Sequence, residues 1–134
     1  MTVESWNPGA PPPRLDERTI ATLLDAAARL EAPRFGLDAG RAGELAPCAR
    51  HEPDGCDWAA AAQALDDADI VALIRLFTLA EAALSGWEAG DASPVIPLAR
   101  ELRRRDRYPE DLTAWIKANT DNRFLPYGNL MDRL

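Results

Sequence analysis

From Asp16 to Glu31 the apolar residues Ile20, Leu23, Leu24, Ala27 and Leu30 recur three and four positions apart, which places them on one face of a helix. Asp16 stands where a cap is needed and, with Glu17, suits the positive end of the helix dipole. Pro33 cannot continue the helix. Asp57 caps a second apolar face made by Trp58, Ala61, Ala62 and Leu65. Asp66, Asp67 and Asp69 then mark a break and a capped restart. The strongest helical pattern of the chain runs from there to Ser85. On a helical wheel Ile70, Leu73, Leu76, Phe77, Leu79, Ala80, Ala83 and Leu84 cover well over half the circle. So wide an apolar arc requires burial against several neighbours. It leaves a narrow polar strip of Arg75, Thr78, Glu81 and Ser85.

Downstream of a turn at 86–92, Ser93 is a cap and Pro94 suits a first helical position, where a missing N–H costs nothing. Val95, Leu98, Ala99 and Leu102 form the inner face, and Arg103, Arg104 and Arg105 lie at the negative end of the dipole. Pro109, Glu110 and Asp111 open a further helix with Leu112, Trp115, Ile116 and Asn119 facing inward. The run Phe124 to Gly128 is too apolar to float free and predicts a structured turn, with a last helical turn over 129–134. Residues 32–56 are broken by Gly36, Gly40, Gly43, Pro47, Pro53 and Gly55. Only a short helix around Arg41 to Leu45 is expected there, within packed irregular structure or a functional insertion.

These elements predict an all-α fold: an irregular bundle or α-hairpin stack of five to six helices around a buried central helix at about 69–85. Short connections make the later helices antiparallel neighbours. The 134 residues suit one domain. Four of the eleven prolines fall in residues 8–13, so residues 1–14 read as a stiff, Pro-rich arm and residues 15–134 as a single helical domain.

Charge narrows the classes of partner. The net charge is −7, whereas nucleic-acid binding draws most of its affinity from a basic footprint. Nucleic acid is therefore not an expected ligand. Fourteen arginines against one lysine, with abundant alanine, hint at a GC-rich, bacterial coding sequence. The run from Ile70 to Ala80 is too short to span a bilayer, and Met1 to Arg14 lacks the basic start and apolar run of a secretory signal. With two cysteines, the expectation is a reduced, cytoplasmic protein that enters no membrane.

The chemistry on offer is sparse. There is no phosphate-binding loop, dinucleotide fingerprint or H-E-x-x-H, and no cofactor is expected. The leading reading is a non-enzymatic helical interaction module, with a protein partner or self-association. Its contact surface would be Trp87, Arg123, Phe124 and Tyr127, rimmed by the arginine-rich stretch 100–107, including Arg103 and Arg104. Tyr, Trp, Phe and Arg are the side chains enriched at interface cores, and an Arg fork matches a carboxylate or phosphate. The plain alternatives are that Phe124 plugs the core and that these arginines complete a helix end, with Glu101 and Arg105 as an i, i+4 pair. A second reading places a small-ligand or metal site in residues 36–57, with Cys48, His51 and Cys56 as zinc-type ligands. Its C-x2-H-x4-C spacing lacks a fourth thiol or imidazole, leaving Asp54 or Asp57 to complete it. A third reading is an enzyme using carboxylates and arginines, for which Glu81, at the edge of a buried helix, is the candidate.

Overall fold

Four helices begin in the same way, with an aspartate that holds the exposed backbone N–H three residues on. Asp16 accepts from Thr19 at 2.8 Å, Asp38 from Arg41 at 2.7 Å, Asp57 from Ala60 at 3.0 Å and Asp66 from Asp69 at 2.9 Å. Each satisfies one amide that the helix itself leaves without an acceptor. The computed structural model describes residues 15–51 and 55–126. The six α-helices among them are α1 (Glu17–Ala27), α2 (Ala39–Leu45), α3 (Trp58–Gln63), α4 (Asp67–Ala83), α5 (Val95–Arg104) and α6 (Leu112–Asn119). No strand occurs among the described residues, only an isolated parallel bridge between His51 and Cys56. No helix among them is long and apolar enough to cross a membrane. The Pro-rich arm, the C-terminal helical turn and Tyr127 lie outside the described residues.

The fold is all-α, built around the helix that the pattern singles out. α4 packs most extensively against α5, then α1, and also meets α6, while α3 lies against α5. Ile70, Leu73, Ile74, Leu76, Phe77 and Ala80 are buried along its length. Removal of the Asp66 cap by Asp66→Ala is expected to cost about 1 kcal/mol, read as a lowered midpoint in urea with unchanged slope.

Three elements differ from their expected form. α1 stops at Ala27 rather than Glu31, because the chain tightens: Arg29 N–H bonds to Ala26 and Ala32 N–H to Arg29. Ser93 does bond the start of α5, its hydroxyl accepting from Val95 N at 3.2 Å, but Pro94 sits at the cap position and the helix proper begins at Val95. The polar strip of α4 is not a solvated edge throughout. Thr78 is fully buried and its hydroxyl donates back to the Ile74 carbonyl at 2.7 Å. That local bond allows a threonine to face the core.

The segment least legible in the sequence is packed irregular structure where it is described. It runs through a tight turn at Pro33–Gly36, α2, and a second tight turn at Ala46–Ala49. Phe35, Leu37, Ala42, Leu45, Cys48 and Ala49 all enter the core. Burial of the Phe35 ring accompanies a left-handed backbone at Arg34 and Phe35 (φ 51° and 56°), a conformation costing an L-residue roughly 1–2 kcal/mol.

Candidate functional site

The arginine-rich stretch is mostly consumed by the fold itself. Glu101, only 6% exposed, takes Arg104 through its outer oxygens and Arg105 Nε at 2.8 Å. Arg105 also reaches Asp67 at 2.9 Å, at the start of α4, and donates to the Ala62 carbonyl at 2.9 Å. It therefore brings a charged donor to the carbonyl end of α3 from beyond the end of α5. Arg107 stands 3.8 Å from Asp67, and the Arg103 guanidinium lies 4.7 Å over the Tyr108 ring. Arg103 and Arg104 are thus held by α5 and its following turn. Arg100 is the exception in this stretch: it is exposed and makes no hydrogen bond or ion pair among the described residues.

Of the expected aromatic surface, Trp87 is interior and Phe124 is half-buried. Trp87 is 1% exposed. The turn after α4 folds back so that its ring centroid lies 6.0 Å from that of Phe77, and its indole N–H donates to the Ala42 carbonyl at 2.9 Å. It presents no ring to a partner. Phe124 is half-buried against the core, and Leu125 behind it is fully buried. Arg123 is exposed.

This C-terminal segment is anchored by Glu81. Its carboxylate accepts from the backbone N–H of Ala89 at 2.9 Å and Gly90 at 3.2 Å, and from the Asn122 amide at 2.9 and 3.0 Å. Asn122 donates further to the Gly90 carbonyl and accepts from Phe124 N, both at 2.9 Å. Glu81 holds this segment together, with both oxygens accepting hydrogen bonds.

The third set, Cys48, His51 and Cys56, does not converge on one point. The thiols face each other in the core with their sulfurs 3.5 Å apart. The His51 ring turns away, its Nε2 3.1 Å from the Asp91 carbonyl. A carbonyl only accepts, so Nε2 carries the proton. Burial pushes both thiols up, Cys56 to about 12 with help from its bond to Cys48. Among the described residues no group of three or more His, Cys, Asp or Glu side chains is placed to hold a metal ion.

What these elements do form together is a small cleft. His51, Asp57, Trp58, Ile96, Pro97 and Arg100 line a cavity of about 140 Å³ between the irregular segment, the start of α3 and the outer side of α5. Trp58 forms its rigid inner wall, buried, with its indole N–H on the Cys48 carbonyl at 2.8 Å. The Asp57 carboxylate is occupied in capping α3. His51 is fixed by its backbone N–H on the Ala92 carbonyl at 2.7 Å. The turn Gly90–Ala92 thus touches His51 on one side and Asn122 on the other.

Arg100 as the unengaged member of its cluster had a signal in the sequence. The positions three and four away from it are Ile96, Pro97, Arg103 and Arg104, so no carboxylate lies at helical spacing to neutralise it. Its place beside His51 had none. That depends on two segments forty-nine positions apart meeting across α3 and α5. Comparison with protein-family models, with curated proteins and with solved structures finds no match to this chain.

Proposed function

We propose that this chain is a non-enzymatic helical interaction module that takes an acidic side chain of a partner protein into the cleft of His51, Trp58, Pro97 and Arg100. The observation that carries this reading is the guanidinium of Arg100, exposed at a concave site and in no ion pair among the described residues, in a stretch where Arg104, Arg105 and Arg107 are paired to carboxylates. A guanidinium fork is matched to a carboxylate. Ile96 and Pro97 supply apolar wall together with the buried Trp58.

Size favours a side chain over a free metabolite. About 140 Å³ falls well below the roughly 300–1,000 Å³ of pockets that enclose small molecules, but it accommodates the end of one Asp or Glu. The non-enzymatic reading is supported by the engagement of the candidate groups. The imidazole is tied to a main-chain carbonyl, Glu81 is filled by donors, and the thiols hold their protons.

Arg100→Glu tests this against the alternative surface at Arg123. In pull-downs from the native lysate, partners recovered by the wild type and by Arg123→Ala are expected to be lost with Arg100→Glu. An affinity drop of about tenfold or more corresponds to about 1.4 kcal/mol. Thermal stability should change little, because Arg100 has no hydrogen bond or ion pair to lose among the described residues. Partners retained by Arg100→Glu and lost by Arg123→Ala would move the contact to the C-terminal segment.

A further inference from the structure

We propose that Cys48 and Cys56 are a redox modification site, closing in the folded protein to a reversible disulfide at the expense of a low-molecular-weight disulfide. This goes beyond the binding reading and does not depend on it, since the bond is measured without any partner.

The case begins with the path of the chain. The tight turn Ala46–Ala49 delivers Cys48 to the core, and the backbone then doubles back so that Cys56 N–H donates to the Arg50 carbonyl at 2.9 Å. That approach needs glycine at position 55. A Cβ there would stand 2.1 Å from the Arg50 carbonyl oxygen, well inside any allowed contact. The closure is pinned from two further sides. His51 N–H bonds to Ala92, and Trp58, two residues after Cys56, donates to the carbonyl of Cys48 itself. The two sulfurs, 3.5 Å apart, are therefore held together by backbone geometry.

A disulfide needs its sulfurs at about 2.05 Å and its Cβ atoms within roughly 3.5–4.5 Å. The sulfurs at 3.5 Å must close by about 1.5 Å, a displacement within the reach of rotation about the two Cα–Cβ bonds. Among the described residues neither thiol belongs to a group of three or more His, Cys, Asp or Glu side chains placed to hold a metal ion.

The chemistry balances with one equivalent of oxidant. Cys48, the more accessible of the two at 6% against 1%, loses its proton and attacks one sulfur of the small disulfide. The S–S bond of the oxidant breaks and one thiolate leaves. The Cys56 thiolate then attacks the Cys48 sulfur of the mixed disulfide, and the second thiolate leaves. The two cysteine protons end on the two released small thiols. The protein sulfurs are oxidised by two electrons and the oxidant is reduced by two. Burial keeps both thiols protonated at neutral pH, so the exchange is slow and quickens as pH rises.

The test uses the full chain, incubated at about pH 8.5 in mixtures of oxidised and reduced glutathione, acid-quenched, unfolded, alkylated and weighed. The expected product is a monomer lighter by two hydrogen atoms, carrying no alkyl group and no glutathione, and restored by dithiothreitol. Its thermal midpoint rises by about 5–10 °C, as expected for a short closed loop in a domain of this size. Cys56→Ser cannot resolve the first adduct and is expected to stop with one glutathione on Cys48. Two alkyl groups per chain at equilibrium in the oxidising mixture would overturn the proposal. So would a glutathione adduct as the wild-type end product, or closure only in denaturant. If Cys56→Ser does not fold, the wild-type masses alone settle the matter.

Discussion

Trp87→Ala is expected to lower the unfolding free energy by about 3–5 kcal/mol, the range for removal of a fully buried large aromatic. The ring belongs to a chain of three at the centre of the molecule. Trp58 meets Phe77 edge-on with centroids 5.2 Å apart and planes at 74°, and Phe77 meets Trp87 at 6.0 Å. Truncation opens a cavity against Phe77 and also strands the Ala42 carbonyl that the indole satisfies. An orphaned buried acceptor costs about 1–3 kcal/mol by itself. Trp87→Phe separates the two effects, since it keeps most of the ring and loses the donor. It is expected to cost about 1–2 kcal/mol. Urea titrations followed by far-ultraviolet circular dichroism measure both. Domain stabilities total about 5–15 kcal/mol, so the alanine variant should lose a large fraction of the total, and its thermal midpoint should fall by roughly 10–20 °C. A Trp87→Ala protein as stable as the wild type would mean that the ring lies at the surface, where the sequence pattern alone had put it.

Glu101 carries the second large effect, and it shows in the acid range. The Arg104 guanidinium, with Arg105 beside it, holds the Glu101 carboxyl down to about 2 against the opposing effect of burial. An unfolded glutamate titrates near 4.5. Between these values the unfolded chain binds a proton that the folded chain refuses, so stability falls as pH falls. The contribution is fully present above about pH 4.5 and gone once pH passes below about 2. Its size is at most about 3 kcal/mol, less in high salt because the Arg104 side chain is 67% exposed. Glu101→Gln is expected to flatten the stability profile between pH 4.5 and 2. Glu101→Ala is expected to cost about 2–3 kcal/mol at neutral pH. That is less than for a fully sealed ion pair, because Arg105 keeps Asp67 and the carbonyls of Ala62 and Gln63. Denaturant midpoints measured across the acid range check both. A wild type and a Glu101→Gln protein with parallel profiles would show that the carboxyl is not held by its arginines.

The two variants probe different kinds of cohesion. Trp87 ties the turn after α4 to α2 through packing and one hydrogen bond. Glu101, through Arg105, ties the end of α3 and the start of α4 to α5 by charge. The cleft proposed for the partner sits on the α3–α5 junction. Loosening that junction is therefore expected to weaken binding even where Arg100 itself is intact.

The sequence by itself determined where most helices lie, three of their caps and the identity of the central one. Asp16, Asp57 and Asp66 act within three residues of themselves, and the apolar arc of α4 is a property of spacing, so neither waits on the rest of the chain. The i, i+4 pair of Glu101 and Arg105 belongs to the same class. Tertiary structure alone decided what each polar or aromatic side chain faces. A tryptophan in a turn reads the same whether the turn folds inward or out; the fold turned Trp87 inward onto the Ala42 carbonyl. Thr78 and Glu81 both stand on the polar strip of α4, yet one is sealed by its own helix and the other is filled by a turn and by Asn122. Cys48, His51 and Cys56 are spaced like ligands, but the irregular path between α2 and α3 joins the sulfurs and swings the imidazole to Asp91. Local rules fix what happens within one turn of a helix. The choice among distant partners is made only when the elements pack, because it depends on which unsatisfied donor, acceptor or charge each side chain meets there.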